Sequence, residues 1–464
     1  MPLCGRPARR RMKAFAARAA AFMADNPDIE IVECVFPDMN GVMRGKWVPA
    51  AQIDKIARGA VRMPMSTYNL DIASEDVSAA KIAVDIGDPD GVGWPIAHSF
   101  GRCLWAERPT AVVLMTMTEA DGRTPCAYDP RQALGRVAER FAAKGLTPVV
   151  APELEFYFVD AETDEAGRAL PPKGAGGDRL GANQIYLLDV KSAFAGVLAE
   201  IDAAARALGA PADAATAEFG PGQFEINLGH VADPLAAADH AIMLKRAIRG
   251  VARNHGMDAC FMAKPYGDQA GSGQHFHVSL VDEDGRNALA DDEGVSPAMR
   301  AAVGGLLETM AEAALLFAPH LNSYRRLRPG SYAPYVAAWG LDNRGVAVRC
   351  PATAGPAARI EHRVAGADAN PYLALAAILA GMLRGIERGA DPGEPVSGEA
   401  TPDHGGQLPT HWPAAISAFE ASRFLREALG PELHRCYALM KRQEMARLLE
   451  RVTDAEYDTY LRTL

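Results

Sequence analysis

This 464-residue chain has no Cys-x-x-Cys pair, no excess of basic residues and no uninterrupted apolar run of membrane-spanning length. Its seven cysteines, Cys4, Cys34, Cys103, Cys126, Cys260, Cys350 and Cys436, are scattered and read as reduced intracellular thiols, which places the protein in the cytoplasm. Cys350 beside Arg349 reads as a small packing residue. A formal net charge of −10, with no concentrated basic and aromatic stretch, argues against a nucleic-acid groove. The Arg-rich opening RPARRRMK lacks a following apolar region and cleavage site, so it reads as a solvated N-terminus. PPKGAGGDR has neither Walker A spacing nor its Gly-Lys-Ser/Thr end and reads as a mobile Gly-rich loop that shapes access for a substrate. DEDGRNALADDEG lacks EF-hand spacing, and a hairpin turn at Asp284-Gly285 is the simpler reading. With 49% hydrophobic and 23% charged residues, what remains is a soluble globular chain long enough for two or three domains.

What the chain does have is a set of short segments with charged residues two apart. In APELEFYFVD, Glu153 and Glu155 share one face of a strand while Leu154, Phe156 and Phe158 take the other. GQFEINL repeats the pattern with Glu225, and Glu218 lies just upstream. QHFHVSL aligns His275, His277 and Ser279, ARIEHRV aligns Arg359, Glu361 and Arg363, and NRGVAVRCP supplies Arg344 and Arg349. A single Glu-x-Glu or His-x-His pair is commonly a solvated sheet face. Four segments with the pattern, each with an apolar opposite face, point to one shared site.

Carboxylates gathered in a partly buried cavity repel one another and lose hydration worth about several kcal/mol each. Divalent cations relieve this, and a carboxylate-rich set with an occasional imidazole suits Mg²⁺ or Mn²⁺ better than zinc. The arginines in turn need anions, and phosphate oxygens match the guanidinium fork. Metal-holding carboxylates beside arginines make a phosphoryl-transfer constellation.

With these residues the chain resembles the glutamine synthetase family. The likeness runs through PDMNGVMRGKWVP, PELEF, EFGPGQFEINL, GSGQHFHVSL, NSYRRLRPG, NRGVAVRCP and RIEHRVAGADANPYLALAAILAG. The resemblance implies an α+β fold: a small N-terminal β-grasp-like domain over residues 1–120 and a catalytic domain over 121–464 with a curved antiparallel sheet and helices. It implies one metal at Glu155, Glu218 and Glu225 and another at Glu153, His275 and Glu361. His277 and Ser279 then lie near the nucleotide, and Arg344, Arg349 and Arg359 neutralise phosphates. Arg326 and Arg363 hold glutamate or the transferred phosphoryl group. Gly271 lets backbone approach the amino acid closely. The implied reaction joins L-glutamate to an amine with ATP as co-substrate. Arg326, Arg349 and Arg363 are its catalytic arginines, in a homododecamer of two hexameric rings. The Pro/Gly-rich stretch 391–409 has no tyrosine of the kind some family members adenylylate.

Two departures from the ammonia-using members touch the amine. Their D-G-S-S block, whose Asp helps bind ammonium, is replaced by MPMSTYNLDI. Their P-G-Y-E-A-P block is replaced by PGSYAP, which puts Tyr332 where a Glu caps the ammonium pocket. Losing two anions weakens capture of a small hydrated cation and favours an organic amine. The wording of EFGPGQFEINL, WGLDNR and RIEHRVAGADANPYL is most like the branch that γ-glutamylates putrescine and other polyamines. An ammonia-using enzyme, a ligase for methylamine, ethanolamine, isopropylamine or an aromatic amine, and a non-catalytic member of the fold are the alternatives.

Locally, the sequence predicts an N-terminal helix over Met12–Met23 and strands in IEIVECVFPD and AVVLMTM, with GDPDGVGWP as a turn-rich connection. A helix begins at Asp129-Pro130 and stops at Gly145.

Overall fold

The fold is described from a computed structural model, which covers residues 6–174, 176–181 and 183–464; Cys4 and Ala175 lie outside the described residues. The N-terminal helix runs Arg6–Asp25, longer at both ends than its apolar stripe requires. The first sheet contains β1 (Ile31–Pro37), β2 (Met43–Pro49), β3 (Val61–Pro64), β4 (Asp90–Pro95), β5 (Gly101–Arg102) and β6 (Thr110–Thr118). Its order is β2-β1-β6-β4-β3, with β5 also on β6, and β1 runs parallel to β6. Two thirds of the expected connection GDPDGVGWP is therefore strand. Its glycines are what hid it, because they face side chains that leave no room: a Cβ on Gly91 would lie 2.4 Å from Met117 Sδ, and one on Gly93 2.6 Å from the Phe36 ring.

The rest of the chain supplies β7 (Thr147–Asp160), β8 (Ala212–Ala217), β9 (Gln223–Leu228), β10 (Met257–Cys260) and β11 (Gln274–Val281). There follow β12 (Val336–Ala337), β13 (Trp339–Leu341), β14 (Val348–Ala352), β15 (Arg359–His362) and β16 (Gly406–Gln407). The main sheet has the order β13-β14-β15-β11-β7-β9-β8, antiparallel except for β13 on β14, and β10 extends the far end of β7. β12 pairs with β16. Asp282 N–H donates to Arg286 O across a turn with Gly285 at φ +79°, as the hairpin reading of Asp284-Gly285 requires.

The back face of the main sheet is apolar. Leu154, Phe156 and Phe158 are fully buried, Phe158 stacks on Phe194 at 5.7 Å between ring centres, and Phe156 and Phe158 both reach Phe224. Helices cover this face. Four of them start alike, with Asp129, Asp233, Ser296 or Asn370 as a side-chain cap and proline as the next residue. The cap accepts a free N–H of the first turn, and proline forfeits a donor that has no intrahelical partner there. The six described cysteines are free, and burial pushes the Cys34, Cys103 and Cys350 thiols up to about 12. Among the described residues no helix is long and apolar enough to cross a membrane.

Helices Pro297–Phe317 and Pro371–Arg388 cross on glycines. A Cβ on Gly385 would sit 1.9 Å from Ala301 O and 2.7 Å from Gly305 N, and one on Gly305 would sit 2.2 Å from Gly381 O. Gly385→Ala is expected to lower stability by about 1–3 kcal/mol, since the helices must move apart. Urea unfolding measures it, and an unchanged midpoint would show that this crossing is not close-packed.

Polar clamps join the first sheet's segment to the helical layer. Asp239, fully buried, accepts from Arg131 at 2.8 Å and from Tyr372 at 2.6 Å and lies 3.0 Å from His98 Nε2. Glu444, 2% exposed, accepts from Asn40 Nδ2, from Ile72 N–H and from Lys441 Nζ, whose own side chain is fully buried. Arg447 on the same helix, Pro431–Leu449, pairs with Asp71.

Candidate active site

Strand register brings the charged faces together. His275 lies opposite Glu153 across β11 and β7, Glu225 opposite Glu155 across β9 and β7, and Glu361 opposite both His277 and Arg349 across β15 and its neighbours. The charged residues of five separate segments, four of them marked by alternation, thus converge on one sheet face. Glu153 Oε1 is 2.7 Å from His277 Nε2 and accepts from Asn227 Nδ2 at 2.9 Å, while its Oε2 is 3.3 Å from His275 Nδ1. Glu155 accepts from Gly273 N–H at 2.8 Å. Glu361, 1% exposed, accepts from Arg349 Nη1 at 2.7 Å and from Arg363. Arg359 Nε donates to His277 Nδ1 at 3.2 Å, and Ser279 Oγ donates to Ala358 O at 3.0 Å.

The potential ligand atoms of two groups, Glu153 with His277 and Glu361, and Glu153 with Glu225 and His275, lie within 4.8 Å of one another inside each group. Glu153, His275, Glu361 and Glu225 were all expected as ligands. His277, expected near the nucleotide, also points its Nε2 at this cluster. Glu155 and Glu218 belong to neither group, though Glu155 Oε1 lies 3.9 Å from His275 Nε2, and both line an adjoining cavity.

The electrostatics show that this donor set fits divalent cations. Burial, and then the charges of Glu155 and Glu153, push the Glu218 carboxyl up to about 8. Burial followed by the same two charges takes Glu225 up to about 9. Burial works in the same direction on Glu153, but hydrogen bonds from His275 and His277 outweigh it and hold that carboxyl below its ordinary value. Glu361 is likewise held low against burial by Arg363, then by the two histidines. A pair of carboxyls forced toward protonation at neutral pH by burial and then by neighbouring anions is the condition that a 2+ ion relieves.

Two cavities flank the cluster. One, about 760 Å³, is lined by Glu155, Glu218, Arg326, Tyr332, Arg344 and Arg363, among others. Gly271 also lines it, and a Cβ there would lie 2.7 Å from Ala263 O and 2.8 Å from Arg326 Cγ, so only glycine lets the chain pass. Arg326 is buried and donates to Val364 O at 2.7 Å, which fixes its guanidinium. Tyr332 is 89% exposed at the rim, with a left-handed φ of +57°. The other cavity, about 790 Å³, is lined by Ser279, Arg359, His230, Asn287 and Gly355, among others. Every residue singled out from the sequence therefore lies in the carboxylate cluster, in one of these cavities, or, like Arg349, bonded to the cluster.

Three residues with evident roles here escaped the sequence reading. Asn227, which orients Glu153, stands two residues after Glu225, and the same alternation could have found it. Gly273 approaches so closely that a Cβ would lie 2.7 Å from His275 Nε2 and 2.9 Å from Arg326 Nη2. Asp342 accepts from Arg349 Nε at 3.1 Å and had no periodic signal.

Comparison with known proteins agrees with this geometry. The family model described as glutamine synthetase, catalytic domain, matches residues 127–460. Gamma-glutamylputrescine synthetase PuuA of Escherichia coli is 38% identical over 98% of this chain and 96% of its own. Gamma-glutamylethanolamide synthetase GlnA4 of Streptomyces coelicolor is 34% identical over 92% of each chain. Among solved structures, one titled GmaS/ADP complex-Conformation 1 superposes with a TM-score of 0.82 at 30% identity, covering 96% of this chain and 99% of that one.

Proposed function

The chain belongs to the glutamine synthetase family and is a glutamate–amine ligase, and from that premise we propose that its acceptor is putrescine or another polyamine. The observation that carries the acceptor is Tyr332, which replaces an anion at the rim of the 760 Å³ cavity. The relative named for putrescine, similar over nearly the whole chain, supports the same choice.

In this reading L-glutamate occupies that cavity, with its carboxylates toward Arg326 and Arg363, and ATP occupies the cavity bounded by Ser279 and Arg359. The γ-carboxylate oxygen attacks the γ-phosphorus of ATP, the bond to the ADP oxygen breaks, and γ-glutamyl phosphate forms. The amine nitrogen then attacks the acyl carbon, phosphate leaves, and the nitrogen gives up a proton. Arg344, Arg349 and Arg359 would cancel charge on the phosphates as it moves. Two divalent ions, Mg²⁺ or Mn²⁺, would be held by Glu155, Glu218 and Glu225 and by Glu153, His275 and Glu361, and they supply neutralisation of the transferring phosphoryl group. Burial of the cluster keeps water from the acyl phosphate. The family resemblance further supports a cytoplasmic homododecamer with separate N-terminal (1–120) and catalytic (121–464) domains.

A panel of amines tests the acceptor. With glutamate, Mg²⁺ and ATP, kcat/KM for putrescine is expected to exceed that for ammonium by on the order of tenfold or more, the discrimination a reshaped pocket supplies. Efficient glutamine formation with no polyamine amide by mass spectrometry would overturn the acceptor, and amide from a monoamine alone would move it to another amine.

A further inference from the structure

The cavity that holds Glu155 and Glu218 contains a third carboxylate, Glu399, that comes from a different wall. Glu399 belongs to the Pro/Gly-rich connection 391–409, and that segment is held firmly at this point. Val396 N–H donates to Trp339 O at 2.8 Å, Asn343 Nδ2 donates to both Val396 O and Gly398 O at 2.8 Å, and Ala400 N–H donates to Gly345 O. Val396 and Ala400, on either side, are buried in a small apolar cluster with Val336, Ala338 and Val346, against which Tyr335 packs. The pegs turn inward and Glu399 is left exposed at the cavity. Among the described residues its carboxylate makes no hydrogen bond and no ion pair, not even with Arg344 on the turn to which the segment is clipped.

An uncompensated carboxylate on a pinned stretch of the cavity wall, beside the aromatic rings of Tyr332 and Tyr335, suits a cation on a short apolar stem. We infer that Glu399 receives the distal ammonium of a diamine whose proximal nitrogen is the one acylated, which makes Glu399 a residue that selects diamines over monoamines. This rests on the acceptor reading given above. The proximal nitrogen then lies on the Glu155 side of the cavity, where the acyl carbon of glutamate is held, while the tyrosines line the methylene stem. Ammonium and alkylamines have nothing to offer Glu399.

Putrescine and 1-aminobutane share the four-carbon chain and differ in the second ammonium, so they isolate this contact. Steady-state phosphate release is measured for both with the native enzyme and Glu399→Gln, at saturating glutamate and ATP. The native enzyme is expected to prefer putrescine. In Glu399→Gln the putrescine KM rises about tenfold, the size of one 1.4 kcal/mol contact, while kcat, the 1-aminobutane KM and the KM values for glutamate and ATP stay as they were. Glu399→Asp, with the same charge on a shorter stem, recovers part of the loss. A role through Arg344 would instead move the ATP kinetics with both amines and would overturn the assignment. An equal shift for both amines, or no shift for putrescine, overturns it too. If neither amine yields an amide, the acceptor reading itself fails and the subsite with it; amide from both with no preference for putrescine sinks the subsite alone.

Discussion

Glu361→Ala and Glu155→Ala are each expected to lower kcat by on the order of 10³-fold while leaving the fold largely intact, because these groups act electrostatically on a developing phosphoryl charge. Glu361 is the sharper case. It lies opposite His277 and Arg349 in the sheet register and accepts from both Arg349 and Arg363, so its loss removes a proposed metal ligand and releases two guanidiniums at once. Circular dichroism and thermal unfolding establish that each variant is folded, phosphate release gives the rate, and calorimetric titration with Mn²⁺ reports the metal. A folded Glu361→Ala protein with near-native turnover would remove that residue from the metal assignment. The same result at Glu155 would remove it there.

Glu444→Ala should have the largest effect on stability, a loss of about 3–5 kcal/mol, because it leaves the buried ammonium of Lys441 without its counter-charge. It also releases Asn40 Nδ2 and the Ile72 N–H, both from the N-terminal segment, so the loss is felt where that segment docks on helix Pro431–Leu449. Burial opposes ionisation of Glu444, but the Lys441 charge and then the His320 hydrogen bond hold its carboxyl down to about 2, against an ordinary 4.5. A carboxyl depressed in the folded state contributes stability that is fully present above its unfolded value and is lost as pH falls through the folded one. Acid unfolding of the native protein between about pH 4.5 and 2 should therefore carry a contribution from this group that Glu444→Gln lacks. Matching acid profiles for the two proteins would show that Glu444 is not ionised in the fold.

The site was largely legible because its chemistry rides on strands, whose two-residue repeat separates a functional face from a buried one in plain view. Glu153, Glu155, Glu225, His275, His277 and Glu361 all carried that mark, and Leu154, Phe156 and Phe158 marked the other side. One helix start was read from its Asp129-Pro130 signal, which the structure shows again at Asp233-Pro234, Ser296-Pro297 and Asn370-Pro371. What stayed hidden was set by contacts between distant segments. Strand β4 was masked by Gly91 and Gly93, whose smallness answers Met117 and Phe36 and not any local preference. Asp342 and Glu399 reach the site from turns, where no period announces them. The Lys441, Glu444 and Asn40 clamp joins residues at opposite ends of the chain, and nothing in either neighbourhood names its partner.

The order of strands in the main sheet has a consequence for how the protein comes to life on the ribosome. β7, with Glu153 and Glu155, is made early, yet it is flanked in the sheet by β9 and β11, and β11 in turn by β15, which is made much later. Until β15 has left the exit tunnel, β11 has an open edge, Glu361 is missing, and the acidic face of β7 has neither its arginines nor a complete set of cation ligands. Long-range pairing of this kind is slow to form, since loop closure precedes any reward. The nascent chain thus carries these carboxylates uncompensated from the completion of β7 to that of β15, and the site cannot be assembled before then.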